Sequence, residues 1–104
     1  MEPDIVSYNA VINACAKAGE YGLAERWLEN AMQAGLMPNL ITHNAVINAC
    51  AKAGEHARAE KWLANIEKAG LKPDIVSFTT VIDSCVQAGL PIVAEKWLTN
   101  AVRA

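Results

Sequence analysis

A period of 35 residues constrains this chain more than any other feature of its sequence. The stretch NAVINACAKAG begins at Asn9 and again at Asn44, and a diverged copy, TTVIDSCVQAG, begins at Thr79. Three other residue types keep the same spacing: Pro3, Pro38 and Pro73; Cys15, Cys50 and Cys85; and Trp27, Trp62 and Trp97. A fixed period of about 20 to 50 residues is typical of stacked repeats, so it predicts a repeat array.

Each repeat has the pattern of two short helices. The apolar residues of the first repeat fall into two helical stripes, which are Tyr8, Val11, Ile12 and Cys15, followed by Ala24, Trp27, Leu28 and Ala31. Asp4 or Ser7 suits the start of the first helix, and Gly19 suits its end. Short connections predict antiparallel neighbours. We therefore predict an all-α fold: a right-handed α-solenoid of helix-turn-helix repeats, with about three repeats and six helices.

The predicted array is a single domain over residues 1–104, with repeats at 5–39, 40–74 and 75–104. The third repeat is incomplete by about five residues against the period of 35. Neither end has a polar capping helix, so we expect apolar faces there, covered by flanking repeats or by another protein. Divergence between residues 21–23 and 56–58 argues against a strict consensus design. The sequence leaves open whether the array is a natural fragment or an engineered one.

Composition narrows the class of protein. Hydrophobic residues make up 53% of the chain, which favours a folded core over disorder. The net charge is −2, not the strongly basic balance of many nucleic-acid binders, although the charge of one face can differ from the total. No apolar run approaches the roughly 18 residues of a membrane span, and no signal or transit peptide is visible, so we expect no membrane insertion. The charged residues of the second helices have mixed signs and are interpreted as a solvated face: Glu25, Arg26, Glu29, Glu60, Lys61, Glu67 and Lys68.

No catalytic or metal-binding motif is visible, so we predict a non-enzymatic chain without cofactor or metal. The cysteines lie on neighbouring repeats at an expected spacing of about 10 Å, too far apart for a disulfide. His43 and His56 occupy different parts of the second repeat. We interpret the cysteines and tryptophans as core residues.

The repeats resemble pentatricopeptide repeats, on the segments IVSYNAVINACAKAG, AERWL and AGLMPN. The matching features are the Tyr8-Asn9 pair, the Lys-Ala-Gly turn at residues 17–19, Ala24 at a packing position and a closing Gly-x-x-Pro-Asp/Asn. The related tetratricopeptide repeat has 34 residues and another pattern. Tryptophan at 27, 62 and 97 departs from the family, which more often has an aliphatic residue there. The resemblance covers essentially the whole chain and implies single-stranded RNA as the partner, bound one base per repeat, in a mitochondrion or plastid.

The resemblance also implies which residues contact RNA. The base-sandwiching positions are Val6, Ile41 and Val76; the base-reading positions are Asn9, Asn39, Asn44, Asp74 and Thr79; and the phosphate positions are Lys17 and Lys52. By the family's pairing rule, Asn9 with Asn39 favours cytosine, Asn44 with Asp74 favours uracil, and Thr79 favours a purine. The implied target is 5′-C-U-purine-3′, in RNA processing, stability or translation. The third repeat has Gln87 in place of the phosphate-binding lysine.

Structural interpretations of the same residues stay open. The asparagines also suit hydrogen bonds to the backbone near a helix start, the aliphatic residues suit packing between repeats, and the lysines suit a helix C-terminus. The alternative function is a non-catalytic protein–protein scaffold, a structural subunit or fragment of a larger organellar complex.

Overall fold

The computed structural model describes residues 4–103, so Pro3 and Ala104, which belong to the predicted period and the predicted third repeat, lie outside the described residues. The described residues form six α-helices of 13 residues each: α1 (Ile5–Lys17), α2 (Tyr21–Gln33), α3 (Leu40–Lys52), α4 (His56–Lys68), α5 (Ile75–Gln87) and α6 (Pro91–Arg103). We call α1, α3 and α5 the first helices, and α2, α4 and α6 the second helices.

The first helices begin with side-chain caps that recur at the 35-residue period. Asp4, Asn39 and Asp74 each accept a hydrogen bond from the backbone N–H three residues later, at 2.9 to 3.1 Å. These bonds satisfy amide groups that have no partner inside the helix. At α3 and α5 the residue three positions on also bonds back to the cap's own N–H, which completes a capping box. Each first helix therefore begins at a residue fixed by its cap.

Glycine ends the helices because the chain needs a left-handed residue there. Gly19, Gly54 and Gly89 follow the first helices with φ of 76°, and Gly35 and Gly70 follow the second helices with φ of 81°. The next N–H then bonds back to a carbonyl of the last turn, as Glu20 does to Cys15 at 2.9 Å. The turn after the first helix is therefore the same in all three repeats, and the turn after the second helix is the same in the first two.

The arrangement of the helices leaves one row of first helices and one row of second helices. Backbones approach between α1 and α3 and between α3 and α5, and each of α2 and α4 also packs on the next first helix. Side chains from every repeat contribute to one continuous core, which includes Ile12, Leu28, Ile47, Leu63 and Val81. The result is an elongated stack of 47 × 27 × 17 Å.

The prediction of a solvated charged face on the second helices is wrong at Glu25, which is buried. Only 7% of its surface is exposed, because the next repeat covers it. Its carboxylate accepts hydrogen bonds from Trp62 Nε1 at 2.6 Å and from Arg58 Nη1 at 2.7 Å. In the following pair of repeats, Glu60 accepts from Trp97 Nε1 at 2.7 Å. A glutamate–tryptophan bond thus links each second helix to the next one.

The C-terminal face of the stack is apolar, as the sequence predicts for an end. Leu98 is 54% exposed, whereas Leu28 and Leu63 at the equivalent positions are 0% and 2% exposed because a following repeat packs on them. A depression of about 490 Å³ lies on this face, with Ile75, Phe78, Ile82, Leu98, Ala101 and Val102 in its lining.

The cysteines lie in the core as free thiols. Burial, with the nearby charge of Glu25, raises the pKa of Cys50 to about 12, so this thiol is unreactive at neutral pH. Among residues 4–103 no group of three or more His, Cys, Asp and Glu side chains is placed to hold a metal ion. None of the six helices is both long and apolar enough to cross a bilayer.

Candidate nucleic-acid interface

One face of each first helix carries the side chains for which the sequence implies RNA contacts. Residues spaced three and four apart along a helix share a face. We call this face the recognition face; in the three repeats it comprises Val6, Asn9, Asn13 and Lys17, then Ile41, Asn44, Asn48 and Lys52, then Val76, Thr79, Asp83 and Gln87. Because the first helices stand side by side, the three recognition faces form one continuous surface.

The aliphatic residues of the recognition face are open to solvent. Val6, Ile41 and Val76 are 69%, 62% and 54% exposed, each in the first turn of its helix. Packing between repeats therefore does not account for them, since core positions of the same helices are fully buried. Branching at Cβ restricts each side chain to few rotamers, so it presents a preformed apolar surface. A planar base can pack on such a surface at little entropic cost.

Asn44 is held by the residue that closes its repeat. Its Nδ2 donates to Asp74 Oδ1 at 3.2 Å, and Ser77 of the next first helix donates its hydroxyl to Asn44 Oδ1 at 2.5 Å. Burial raises the pKa of Asp74, but the hydrogen bonds from Ser77 and Asn44 outweigh it and leave that pKa below its usual range. Asp74 is therefore an anion at neutral pH and can only accept hydrogen bonds.

Asn9 has the same arrangement with a different closing residue. Its Nδ2 lies 3.5 Å from Asn39 Oδ1, a longer contact than the equivalent one in the second repeat. The hydroxyl of Thr42 donates to Asn9 Oδ1. The structure thus brings together both predicted pairs, Asn9 with Asn39 and Asn44 with Asp74. The hydrogen bonds of Asn9 and Asn44 run to side chains, whereas Asn39 and Asp74 also accept backbone N–H groups as helix caps.

Thr79 has no closing partner among the described residues. It is exposed at the C-terminal face and lies beside the depression that Ile82 and Leu98 line. Thr80, one residue later, instead donates its hydroxyl to the Val76 carbonyl of its own helix at 2.8 Å. The third repeat therefore presents the exposed aliphatic side chain of Val76 and the hydroxyl of Thr79, but Thr79 has no closing residue beside it in the described part of the chain.

The basic end of the recognition face is short. Lys17 and Lys52 are exposed in the last turns of α1 and α3, and neither forms an ion pair within the described residues. Their charges are available to a phosphate, and they also complement the helix dipole. In the third repeat Gln87 stands at this position without a charge.

Asp83 is a residue of this surface that the sequence interpretation missed. It is exposed and lines a depression of about 210 Å³ together with Asn48, Lys52 and Gln87. Its carboxylate opposes the approach of a phosphate next to Lys52. Asparagine at the two equivalent positions, 13 and 48, was the signal that could have identified it.

Comparison with protein families and solved structures gives consistent matches. Residues 3–52 and 38–87 each match the model described as the PPR repeat family, and residues 76–100 match the model described as PPR repeat. No curated protein sequence matches the chain significantly.

The crystal structure of the pentatricopeptide repeat protein PPR10 from maize superposes with a TM-score of 0.91 at 24% identity, over 99% of this chain and 15% of that one. A second crystal structure, PPR10 in complex with an 18-nt psaJ RNA element, superposes with a TM-score of 0.84 at 35% identity, over 98% of this chain and 15% of that one. The present chain therefore spans about 15% of the length of these proteins. The predicted all-α solenoid is confirmed.

Proposed function

The chain belongs to the pentatricopeptide repeat family, and from this premise we propose that it binds single-stranded RNA along its recognition faces, one base per repeat. The proposed target is 5′-C-U-purine-3′, read by Asn9 with Asn39, by Asn44 with Asp74, and by Thr79. We assign this binding to organellar RNA processing, stability or translation in a mitochondrion or plastid, without a catalytic step.

The observation that carries the proposal is that an exposed aliphatic side chain stands next to a hydrogen-bonded side-chain amide in successive repeats. Val6, Ile41 and Val76 are each more than half exposed, and the first two stand one helix turn before Asn9 and Asn44, whose side-chain amides are hydrogen-bonded. A base between Val6 and Ile41 would lie beside Asn9, and a base between Ile41 and Val76 would lie beside Asn44. Apolar stacking and a polar edge contact are what unstacked RNA bases require.

The size of the surface limits the affinity. Stacking contributes about 1 to 3 kcal/mol per base, and two bases are fully sandwiched here. A dissociation constant of 1 mM corresponds to about 4 kcal/mol, so we expect binding in the high micromolar to millimolar range. Lys17 and Lys52 offer two phosphate contacts, for which the slope of log K against log salt is about −1.4 on a single strand.

A titration tests the proposal. Seven-nucleotide RNAs with a central CUA or CUG, and permutations of the same bases, are titrated into 15N-labelled protein at two salt concentrations. We expect NMR chemical-shift changes of residues on the recognition faces and tighter binding of the CU-purine sequences. Binding that is independent of sequence, or shift changes confined to the second helices, would contradict the proposal.

The same titration distinguishes RNA binding from the alternative function, a protein–protein scaffold. A scaffold without RNA function predicts no saturable shift change at Ile41 or Asn44 with any of the RNAs. Ile41→Glu is the variant that tests the RNA site, because it places a charge at an exposed base-packing position and leaves the core unchanged. If RNA binds as proposed, this variant loses affinity while its melting temperature stays close to that of the wild type.

A further inference from the structure

We propose that the hydroxyls of Thr42 and Ser77 sharpen the base discrimination of the preceding repeat by fixing the orientation of the amide of Asn9 or Asn44. This inference rests on the proposed function and deepens it. Thr42 and Ser77 are positioning residues, because they contact the reading side chain and not the base. Both are fully buried at the third position of the following first helix.

The second repeat shows how the single proton of Ser77 is used. Its Oγ lies 2.5 Å from Asn44 Oδ1 and 2.9 Å from Asp74 Oδ1, and it accepts from the Asp74 N–H at 3.2 Å. Asp74 Oδ1 already accepts from the Ser77 N–H at 2.9 Å and from Asn44 Nδ2 at 3.2 Å. With both lone pairs of that oxygen occupied, the hydroxyl proton goes to the nearer Asn44 oxygen.

These contacts distinguish the two ends of the Asn44 amide. Asp74 only accepts, so it requires the nitrogen end, and the Ser77 hydroxyl supplies a proton to the oxygen end. One N–H and one lone pair remain for a base, in a fixed order. Uracil and cytosine present opposite donor and acceptor groups on their pairing edges. The amide has the same orientation in both repeats, so the closing residue, Asn39 or Asp74, selects between the two pyrimidines, and an amide free to turn over would weaken that selection.

The first repeat depends more strongly on this hydroxyl. Asn39 Oδ1 accepts from the Thr42 N–H at 3.1 Å and lies 3.5 Å from Asn9 Nδ2, so its hold on the Asn9 amide is weak. Asn39 is also neutral, unlike Asp74. The Thr42 hydroxyl is the closer contact to Asn9. We therefore expect removal of this hydroxyl to reduce base discrimination more than removal of the Ser77 hydroxyl.

Ser7 supplies a matched control within the same chain. It stands at the equivalent position of α1, where its N–H and its hydroxyl bond to Asp4 Oδ1 at 2.9 and 3.1 Å. No reading asparagine precedes it among the described residues. Ser7→Ala therefore removes an equivalent hydroxyl bond to a helix cap without touching an amide of the recognition face.

The experiment compares base discrimination position by position. Affinities of the full chain are measured for seven-nucleotide RNAs with a central CUA, with the first base changed to U, and with the second base changed to C. The variants are Thr42→Val, Ser77→Ala and Ser7→Ala, with Thr42→Ser and Ser77→Thr as exchanges that keep the hydroxyl. Melting curves identify the concentration range in which each variant is folded.

We expect Thr42→Val to reduce discrimination at the first base only, and Ser77→Ala at the second base only, each by about three-fold or more. Ser7→Ala and the two hydroxyl-preserving exchanges should leave both ratios unchanged. In NMR spectra of the RNA-free protein, the chemical shifts of the side-chain amide protons of Asn9 and Asn44 should move toward those of an unfolded peptide in the corresponding variant.

A purely structural role would lower affinity for all RNAs equally, in Ser7→Ala as much as in the other variants, and that result would overturn the inference while the proposed function stands. Unchanged ratios in Thr42→Val and Ser77→Ala would overturn it as well. A wild-type chain without any base preference would instead refute the proposed function, and this inference with it.

Discussion

At the residue scale, a side chain's role in this protein depends on the repeat that follows it. Glu25 lies on a second helix whose charges alternate in sign, and its own repeat would leave it solvated. Arg58 and Trp62 of the next repeat cover it and donate two hydrogen bonds. Sequence spacing within one repeat carries no information about this contact, which is why its burial was not predicted.

His43 has the same dependence on context, and it makes the stability sensitive to mild acid. Its ring packs against Trp62 with centroids 6.5 Å apart, and its Nδ1 lies 3.1 Å from the Asn39 carbonyl. The carbonyl can only accept, so Nδ1 carries the proton of the neutral ring. Its Nε2 is buried without a hydrogen-bond partner in the described part of the chain. Burial lowers the pKa of His43 below 6.5, although the bond to Asn39 opposes the shift.

Because the unfolded chain binds this proton more readily, the stability that neutral His43 contributes is complete above about pH 6.5 and is lost as pH falls toward the folded-state pKa. We expect the free energy of unfolding, measured by urea denaturation, to decrease from pH 7 to pH 5. His43→Phe, which reproduces Phe78 at the equivalent position, should remove most of that decrease. An unchanged pH dependence in His43→Phe would contradict this assignment.

At the element scale, successive second helices are joined by hydrogen bonds that the sequence analysis did not predict. The three tryptophans were interpreted as core residues; Trp62 is 3% exposed, whereas Trp27 and Trp97 are partly buried against the core. The indole N–H of Trp62 is also a donor to Glu25, and Trp97 repeats this bond to Glu60 at 2.7 Å. The departure of this sequence from the family therefore has a structural use, as a directional contact between successive repeats.

Trp97→Phe tests that contact because it removes the N–H and keeps an aromatic ring. We expect a loss of about 1 to 2 kcal/mol, smaller than for a fully buried charged partner because Glu60 is half-buried. In a Glu60→Ala background the same substitution should cost less, with a coupling energy of about 1 kcal/mol. Trp27→Phe is the control, since Trp27 donates no hydrogen bond in the part of the chain that the structure describes. Equal losses at Trp27 and Trp97 would contradict a role for the N–H.

At the scale of the whole molecule, the period and the apolar stripes within it were sufficient to predict the stack. Helix starts at Ile5, Leu40 and Ile75 coincide with the predicted repeat starts, because caps and glycine turns are local features that the sequence displays directly. The candidate site is different. Its residues were predicted from the family resemblance. The hydroxyls of Thr42 and Ser77 were not predicted, because they contact the preceding repeat and spacing within one repeat gives no information about such contacts.

The central claim is that each repeat contributes one reading side chain for one base, and Asn44→Thr tests it most directly. Asp74 then remains as an acceptor for the N–H groups that guanine presents and uracil largely lacks. Affinities of the wild type and the variant are measured for RNAs with a central CUA or CGA. We expect the wild type to prefer U at the middle base and the variant to prefer G, with no change at the first base. An unchanged middle preference, or an equal loss for both RNAs, would contradict the claim.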